Sequence, residues 1–199
     1  MKVIKGLKVL KAFNDLDRPD VRRLTLDKKK MVLFLVGFMG CGKSTVGRKL
    51  AEAKGYDFVD LDAEVARLAG MSVQEIFATQ GEEAFRQLER KAIEQLSLGD
   101  RMVVATGGGA PCYGDNMALL KAKGTTVYLK MSAEALTERL QHVRIPRPKV
   151  AGMDAKQLGD YVTKLLAERE PIYMQSKVIV DCDQVSSNVV AGRLRYLLK

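Results

Sequence analysis

Nine consecutive residues limit this chain more than any others: Gly37-Phe38-Met39-Gly40-Cys41-Gly42-Lys43-Ser44-Thr45. An apolar run, Val32-Leu33-Phe34-Leu35-Val36, precedes them, and helical periodicity follows. The order strand, glycine-rich loop, helix together with a full match to G-x-x-x-x-G-K-[ST] predicts a P-loop. Gly37, Gly40 and Gly42 let the backbone curl until several N–H groups converge on phosphate oxygens, and the N-terminus of the following helix adds its dipole. The competing reading is a structural turn that carries Lys and Ser by chance, and the strand in front of it argues against that. A loop of this kind binds a nucleoside triphosphate. The Lys43 ammonium can follow the γ-phosphoryl through transfer, and the Ser44 hydroxyl is a hard oxygen ligand suited to Mg²⁺. Neither residue says what accepts the phosphoryl group.

With 199 residues and 47% hydrophobic content the chain can bury one core without disulfides. Its three cysteines, Cys41, Cys112 and Cys182, are odd in number and lack metal-ligand spacing, as reduced thiols of a cytoplasmic protein do. No apolar run approaches the ~20 residues that span a bilayer, so no membrane partner is expected. The net charge of +9 is concentrated at the start: residues 1–30 hold ten Lys or Arg against four Asp, which leaves about +3 for the rest. That remainder suits an enzyme with anionic substrates and does not indicate nucleic acid. Residues 1–30 show no clear fold pattern, and Met31 stands where an initiating methionine would. They are expected to be an appended basic extension outside the core, residues 31–199 forming the domain; the alternative is an amphipathic helix over residues 3–13 docked on that domain.

Beyond the loop, short apolar runs alternate with helical stretches. Strands are predicted at 32–36, 57–60, 101–105, 125–130 and 177–180, and helices at 43–53, 63–69, 73–79, 82–98, 115–122, 133–142, 155–170 and 185–198. This alternation predicts an α/β protein, a three-layer αβα sandwich around a parallel sheet with its site at the carboxyl ends of the strands.

Several later motifs belong at that end. Asp60 and Asp62 close the second of these strands, where period-two alternation sends both to one side; one can stand near the magnesium shell and the other can accept from a substrate hydroxyl. The competing reading makes Asp62 the N-cap of the next helix. Arg86 falls in the second turn of a helix opened by Gly81, where a guanidinium is ordinarily solvated or paired with Glu82, Glu83 or Glu89. Gly107, Gly108 and Gly109 follow a strand and allow a ring or phosphate to approach the backbone. Residues 141–153, with Arg144, Arg147 and Lys149 among two prolines and a glycine, read as a basic lid that excludes water from the phosphates, or else as a solvated loop. Arg169 lies in the last turn of a helix predicted to end at Pro171, where a cation also suits the dipole.

As an ordered set these residues resemble the shikimate kinase family over essentially the whole span from Met31. The resemblance rests on the P-loop at Gly37 to Thr45, the D-x-D at Asp60 and Asp62, the F-R at Phe85 and Arg86, the triple glycine, the R-P at Arg147 and Pro148, and the R-x-P-x-Y at Arg169 to Tyr173. It implies a nucleoside-monophosphate-kinase-like fold, transfer of the ATP γ-phosphoryl to the 3-hydroxyl of shikimate, a requirement for Mg²⁺, and a cytoplasmic monomer. By the same resemblance Lys43 and Arg147 serve the phosphates and Arg139 lies near the adenine. Ser44 holds the metal directly and Asp60 through water. Asp62 orients or deprotonates the attacking hydroxyl, and Arg86 and Arg169 clamp the shikimate carboxylate beside Gly107 to Gly109. The chain departs from the family pattern at Cys41, at Lys149 and at the basic residue missing near Cys182 to Val185. Cys41, at a helix N-terminus, is expected to make activity sensitive to thiol reagents. Two other classes stay open: a different P-loop kinase of small metabolites, such as a gluconate or nucleoside monophosphate kinase, and a nucleic-acid-binding module using the basic arm.

Overall fold

The computed structural model describes residues 8–10, 31–142, 150 and 152–197 of the chain. They form a six-stranded parallel sheet: β1 (Lys8–Leu10), β2 (Met31–Val36), β3 (Asp57–Asp60), β4 (Arg101–Ala105), β5 (Thr125–Lys130) and β6 (Val178–Asp181), in the spatial order β1-β6-β5-β2-β4-β3. The helices between them are α1 (Lys43–Lys54), α2 (Leu61–Ala69), α3 (Val73–Thr79), α4 (Gly81–Gln95), α5 (Asn116–Lys123), α6 (Ala133–Gln141), α7 (Ala155–Tyr173) and α8 (Ser187–Leu197).

Every residue of β2 is buried, as are five of the six in β5, so the middle of the sheet is covered on both faces. Continuous Val, Leu and Phe runs are what such doubly covered parallel strands require. The three-layer sandwich expected from the alternation of elements is present. Register aligns the ends that matter: Leu35 pairs with Ala105 and Val36 with Tyr128, so the residues following β2 and β4 emerge together at one edge, with β5 running two residues further. Thr106, next after β4, locks this edge by donating its Oγ1 to the Leu35 carbonyl at 3.0 Å and its N–H to the same oxygen at 3.1 Å.

Two elements differ from expectation. The last long helix, α7, runs through Pro171 to Tyr173, because a proline in the final turn forfeits one N–H bond while Met174 N–H still donates to Glu170 O at 2.8 Å. The other is β1. Its backbone pairs in parallel with β6, Lys8 opposite Val178 and Leu10 opposite Val180, so this part of residues 3–13 is extended and not helical. A strand here hydrogen-bonds the N–H and C=O groups that β6 would otherwise present as an open edge.

Candidate active site

The P-loop joins β2 to α1 where the sheet register brings the strand ends together. Gly37 has φ +142°, and a Cβ there would lie 2.9 Å from the Leu129 carbonyl oxygen; Gly42, the N-cap of α1, has φ +96°. Both positions therefore need glycine, for backbone conformation and, at Gly37, for space. Lys43 is buried, and its Nζ donates to the carbonyls of Gly37 at 2.8 Å and Phe38 at 2.7 Å, with the Cys41 sulfur at 3.7 Å. The ammonium is thus folded onto the rim of its own loop. Cys41, the position expected to be sensitive to thiol reagents, is only 2% exposed.

Across the cleft, Ser44 Oγ donates to Asp60 Oδ2 at 2.7 Å, and Asp60 Oδ1 accepts from the Asp62 N–H at 3.2 Å. Asp60 is therefore the N-cap of α2, and Asp62 lies in its first turn. The two carboxylates do line one cleft, but through a strand-to-helix turn and not through strand alternation, because Asp60 is the last residue of β3 and caps α2, which places Asp62 in the helix. The capping role considered for Asp62 belongs to Asp60. A cleft of about 220 Å³ is lined by Gly40, Gly42, Lys43, Ser44 and Thr45 on one side and by Asp60, Asp62, Thr106, Gly107 and Gly108 on the other.

Behind this cleft lies a second set of charges. A Cβ on Gly107 would collide with Glu89 Oε1 and sit 2.9 Å from Asp62 Oδ1, while one on Gly109 would strike the Arg86 guanidinium. The absence of side chains at these glycines is what lets α4 bring Arg86 and Glu89 against the loop. Arg86 Nη1 pairs with Glu89 Oε2 and its Nη2 with Glu82 at 2.9 Å, two of the three partners foreseen for it. Glu89 is fully buried, and its Oε1 has no hydrogen-bond partner among the described residues. Burial pushes its carboxyl up to about 7, Arg86 opposes that rise, the Asp62 charge adds to it and Arg169 works against it. Arg169 approaches from α7 and is half-buried. Gly108 fits against the P-loop, where a Cβ would lie 3.0 Å from the Met39 nitrogen, and its carbonyl accepts from the Tyr173 hydroxyl at 2.5 Å.

Arg139 stands apart from these groups, in the last turn of α6. It is exposed, with Nη2 3.4 Å from the Val185 carbonyl and Nη1 3.7 Å from the position of a Gly42 Cβ, so it bridges the P-loop and the segment after β6. Arg144, Arg147 and Lys149 lie outside the described residues. Sequence reasoning named Glu89 only as a possible partner of Arg86 and not as a group of the site, although its position carried a signal. It occupies the apolar stripe of α4 with Phe85, Ala92 and Ile93, and a carboxylate at such a position signals a buried partner.

A phosphate loop at the end of a parallel sheet, faced by two carboxylates and backed by arginines, defines a P-loop phosphotransferase acting on a small acceptor. The family model described as shikimate kinase matches residues 39–198. Among curated relatives, the shikimate kinase of Parabacteroides distasonis is 40% identical over 77% of this chain and 88% of its own length, and that of Chlorobaculum tepidum is 41% identical over 78% and 84%. Among solved structures, the shikimate kinase of Bacteroides thetaiotaomicron superposes with a TM-score of 0.78 at 34% identity, covering 84% of this chain and 98% of that one. The Acinetobacter baumannii enzyme in complex with shikimate gives 0.76 at 32%, covering 86% and 94%. The chain belongs to the shikimate kinase family.

Proposed function

We infer that this chain is a shikimate kinase: it transfers the γ-phosphoryl of ATP to the 3-hydroxyl of shikimate, giving shikimate 3-phosphate and ADP on the route to chorismate and the aromatic amino acids. The observation that carries this reading is the meeting of two unlike sets of groups across one glycine triplet. The first is the phosphate loop with Ser44 and Asp60; the second is Asp62, Arg86 and Arg169, a set suited to a hydroxylated acid and not to a nucleotide acceptor.

Lys43 exchanges its two carbonyl partners for phosphate oxygens and stays with the γ-phosphoryl as charge develops on it. Ser44 and Asp60 fit Mg²⁺, since they offer two hard oxygens 2.7 Å apart. No cluster of three His, Cys, Asp or Glu occurs among the described residues, which suits an ion that keeps waters and phosphates as its other ligands. When bound, that ion neutralises charge on the β- and γ-phosphates. Asp62 accepts from the attacking hydroxyl and holds it in line, where in a loose transition state orientation contributes more than proton removal. Arg86 and Arg169 grip the substrate carboxylate with charge-assisted bonds while the ring lies along Gly107, Gly108 and Gly109. By the family resemblance Arg139 lies near the adenine, and Arg147 serves the phosphates as part of a lid at about 141–153.

In this reading residues 31–199 are the kinase domain and residues 1–30 a basic extension. ATP and shikimate are its partners, with neither nucleic acid nor membrane involved; among the described residues no helix is long and apolar enough to cross a membrane. A cytoplasmic monomer is implied by the family resemblance alone. ADP release with ATP and Mg²⁺, compared for shikimate, quinate, gluconate and a nucleoside monophosphate at equal concentration, tests the acceptor. Selective turnover of shikimate is expected, and preference for another acceptor would overturn the carboxylate grip.

A further inference from the structure

Tyr173 is fully buried at the end of α7, its ring packed on that of Tyr128 with centroids 5.3 Å apart. A phenylalanine would satisfy that packing as well, and a buried hydroxyl is unfavourable unless it finds a partner. The partner here is the Gly108 carbonyl at 2.5 Å, in the middle of the glycine triplet. Tyr173 and Arg169 are four residues apart on α7 and so share a helix face. The Arg169 guanidinium stands beside the same phenol, as does the Cys112 thiol, whose own pKa is raised by burial. Within the same triplet, Gly109 rests on the Arg86 guanidinium. One hydroxyl thus joins the helix that carries Arg169 to the strip of backbone whose next residue rests on Arg86.

We propose that Tyr173 is a positioning residue of the acid-substrate site, setting through its hydroxyl the distance between the Arg169 guanidinium and the glycine triplet. It touches neither phosphate nor the reacting hydroxyl. The proposal rests on the reading of the site as one that grips a carboxylate. Its neighbour Tyr128 supplies an internal contrast: the Tyr128 hydroxyl donates to Glu170 Oε1 at 3.3 Å and has no bond to the triplet.

The test is a kinetic comparison of full-length wild type, Tyr173→Phe, Tyr128→Phe, Arg169→Ala and the double variant Tyr173→Phe/Arg169→Ala. Tyr173→Phe keeps the ring, and KM reports only the folded fraction, so partial unfolding lowers apparent kcat without moving it. In Tyr173→Phe the KM for shikimate rises about tenfold, the KM for ATP stays within about twofold, and the effect of the Phe change largely disappears in the Arg169→Ala background. Tyr128→Phe leaves both KM values near wild type. An unchanged shikimate KM in Tyr173→Phe, equal losses for both substrates, or full additivity with Arg169→Ala would overturn the proposal while wild-type turnover of shikimate stands. Absence of shikimate turnover by the wild type would instead overturn the function from which the proposal starts, and the proposal with it.

Discussion

Lys43 is the residue whose work is most confined to the phosphate. In Lys43→Ala the two carbonyls it now satisfies turn to water, the loop keeps its glycine-determined shape, and the γ-phosphoryl loses its moving counter-charge. Turnover should fall about 10²–10³-fold by steady-state ADP release, with the fold intact by circular dichroism. Arg86→Ala should act on the other substrate, raising the KM for shikimate about 10–100-fold and leaving that for ATP within about twofold. Equal losses of both affinities would contradict the carboxylate grip. Glu89 makes a prediction about pH. Its folded pKa, about 7, lies above the ordinary value of 4.5, so the folded chain holds a proton that the unfolded chain has released. Its contribution to stability is complete below about 4.5 and is lost as pH rises through 7. Glu89→Gln should therefore flatten the rise in denaturation midpoint that wild type shows between pH 7 and 5; an unchanged slope would place its proton elsewhere. At this scale the nine residues of the phosphate loop were legible because loop geometry and chemistry demand the same residues. Arg86 was legible as a cation, but its closeness to Gly109 was not, since that depends on where α4 meets a loop about twenty residues later.

The strands were legible as elements because doubly covered parallel strands need apolar runs, and β2 and β4 have them, with a shorter one, Val127 to Leu129, in β5. Junctions were harder. The carboxylate of Asp60 ends β3 by capping α2, a choice between strand and helix that alternation alone does not decide. Pro171 misled in the opposite sense, since in the last turn of α7 it removes a single donor and the helix continues to the tyrosine that reaches Gly108. The junction between α5 and β5 offers a stability test. Gly124 N–H donates to Leu120 O at 3.0 Å, and a Cβ there would sit 2.6 Å from the Val32 carbonyl oxygen and 3.0 Å from the Phe34 ring. Backbone cannot yield as a side-chain tip does. Gly124→Ala should cost about 1–3 kcal/mol, read as a lowered urea midpoint, with KM values unchanged in the folded fraction.

For the whole molecule, the sheet arranges the site: β2, β4 and β3 deliver the phosphate loop, the triple glycine and the aspartates to one edge in that spatial order. The β1 pairing lies at the opposite side of the sheet, next to β6, and its three residues were not legible because a Lys-Val-Leu triplet carries no period. Deleting residues 1–30 should preserve shikimate turnover within about twofold, since the family match begins at residue 39, and should lower the melting temperature by exposing the β6 edge. A variant that loses turnover while melting unchanged would make the extension part of the site. Whether the cleft presents the 3-hydroxyl of shikimate to the γ-phosphoryl of ATP can be read from phosphorus–proton correlation NMR of the reaction product. One organic phosphate, coupled to the proton on carbon 3, is expected. Phosphate on the 4- or 5-hydroxyl, or inorganic phosphate and ADP with shikimate unchanged, would contradict it.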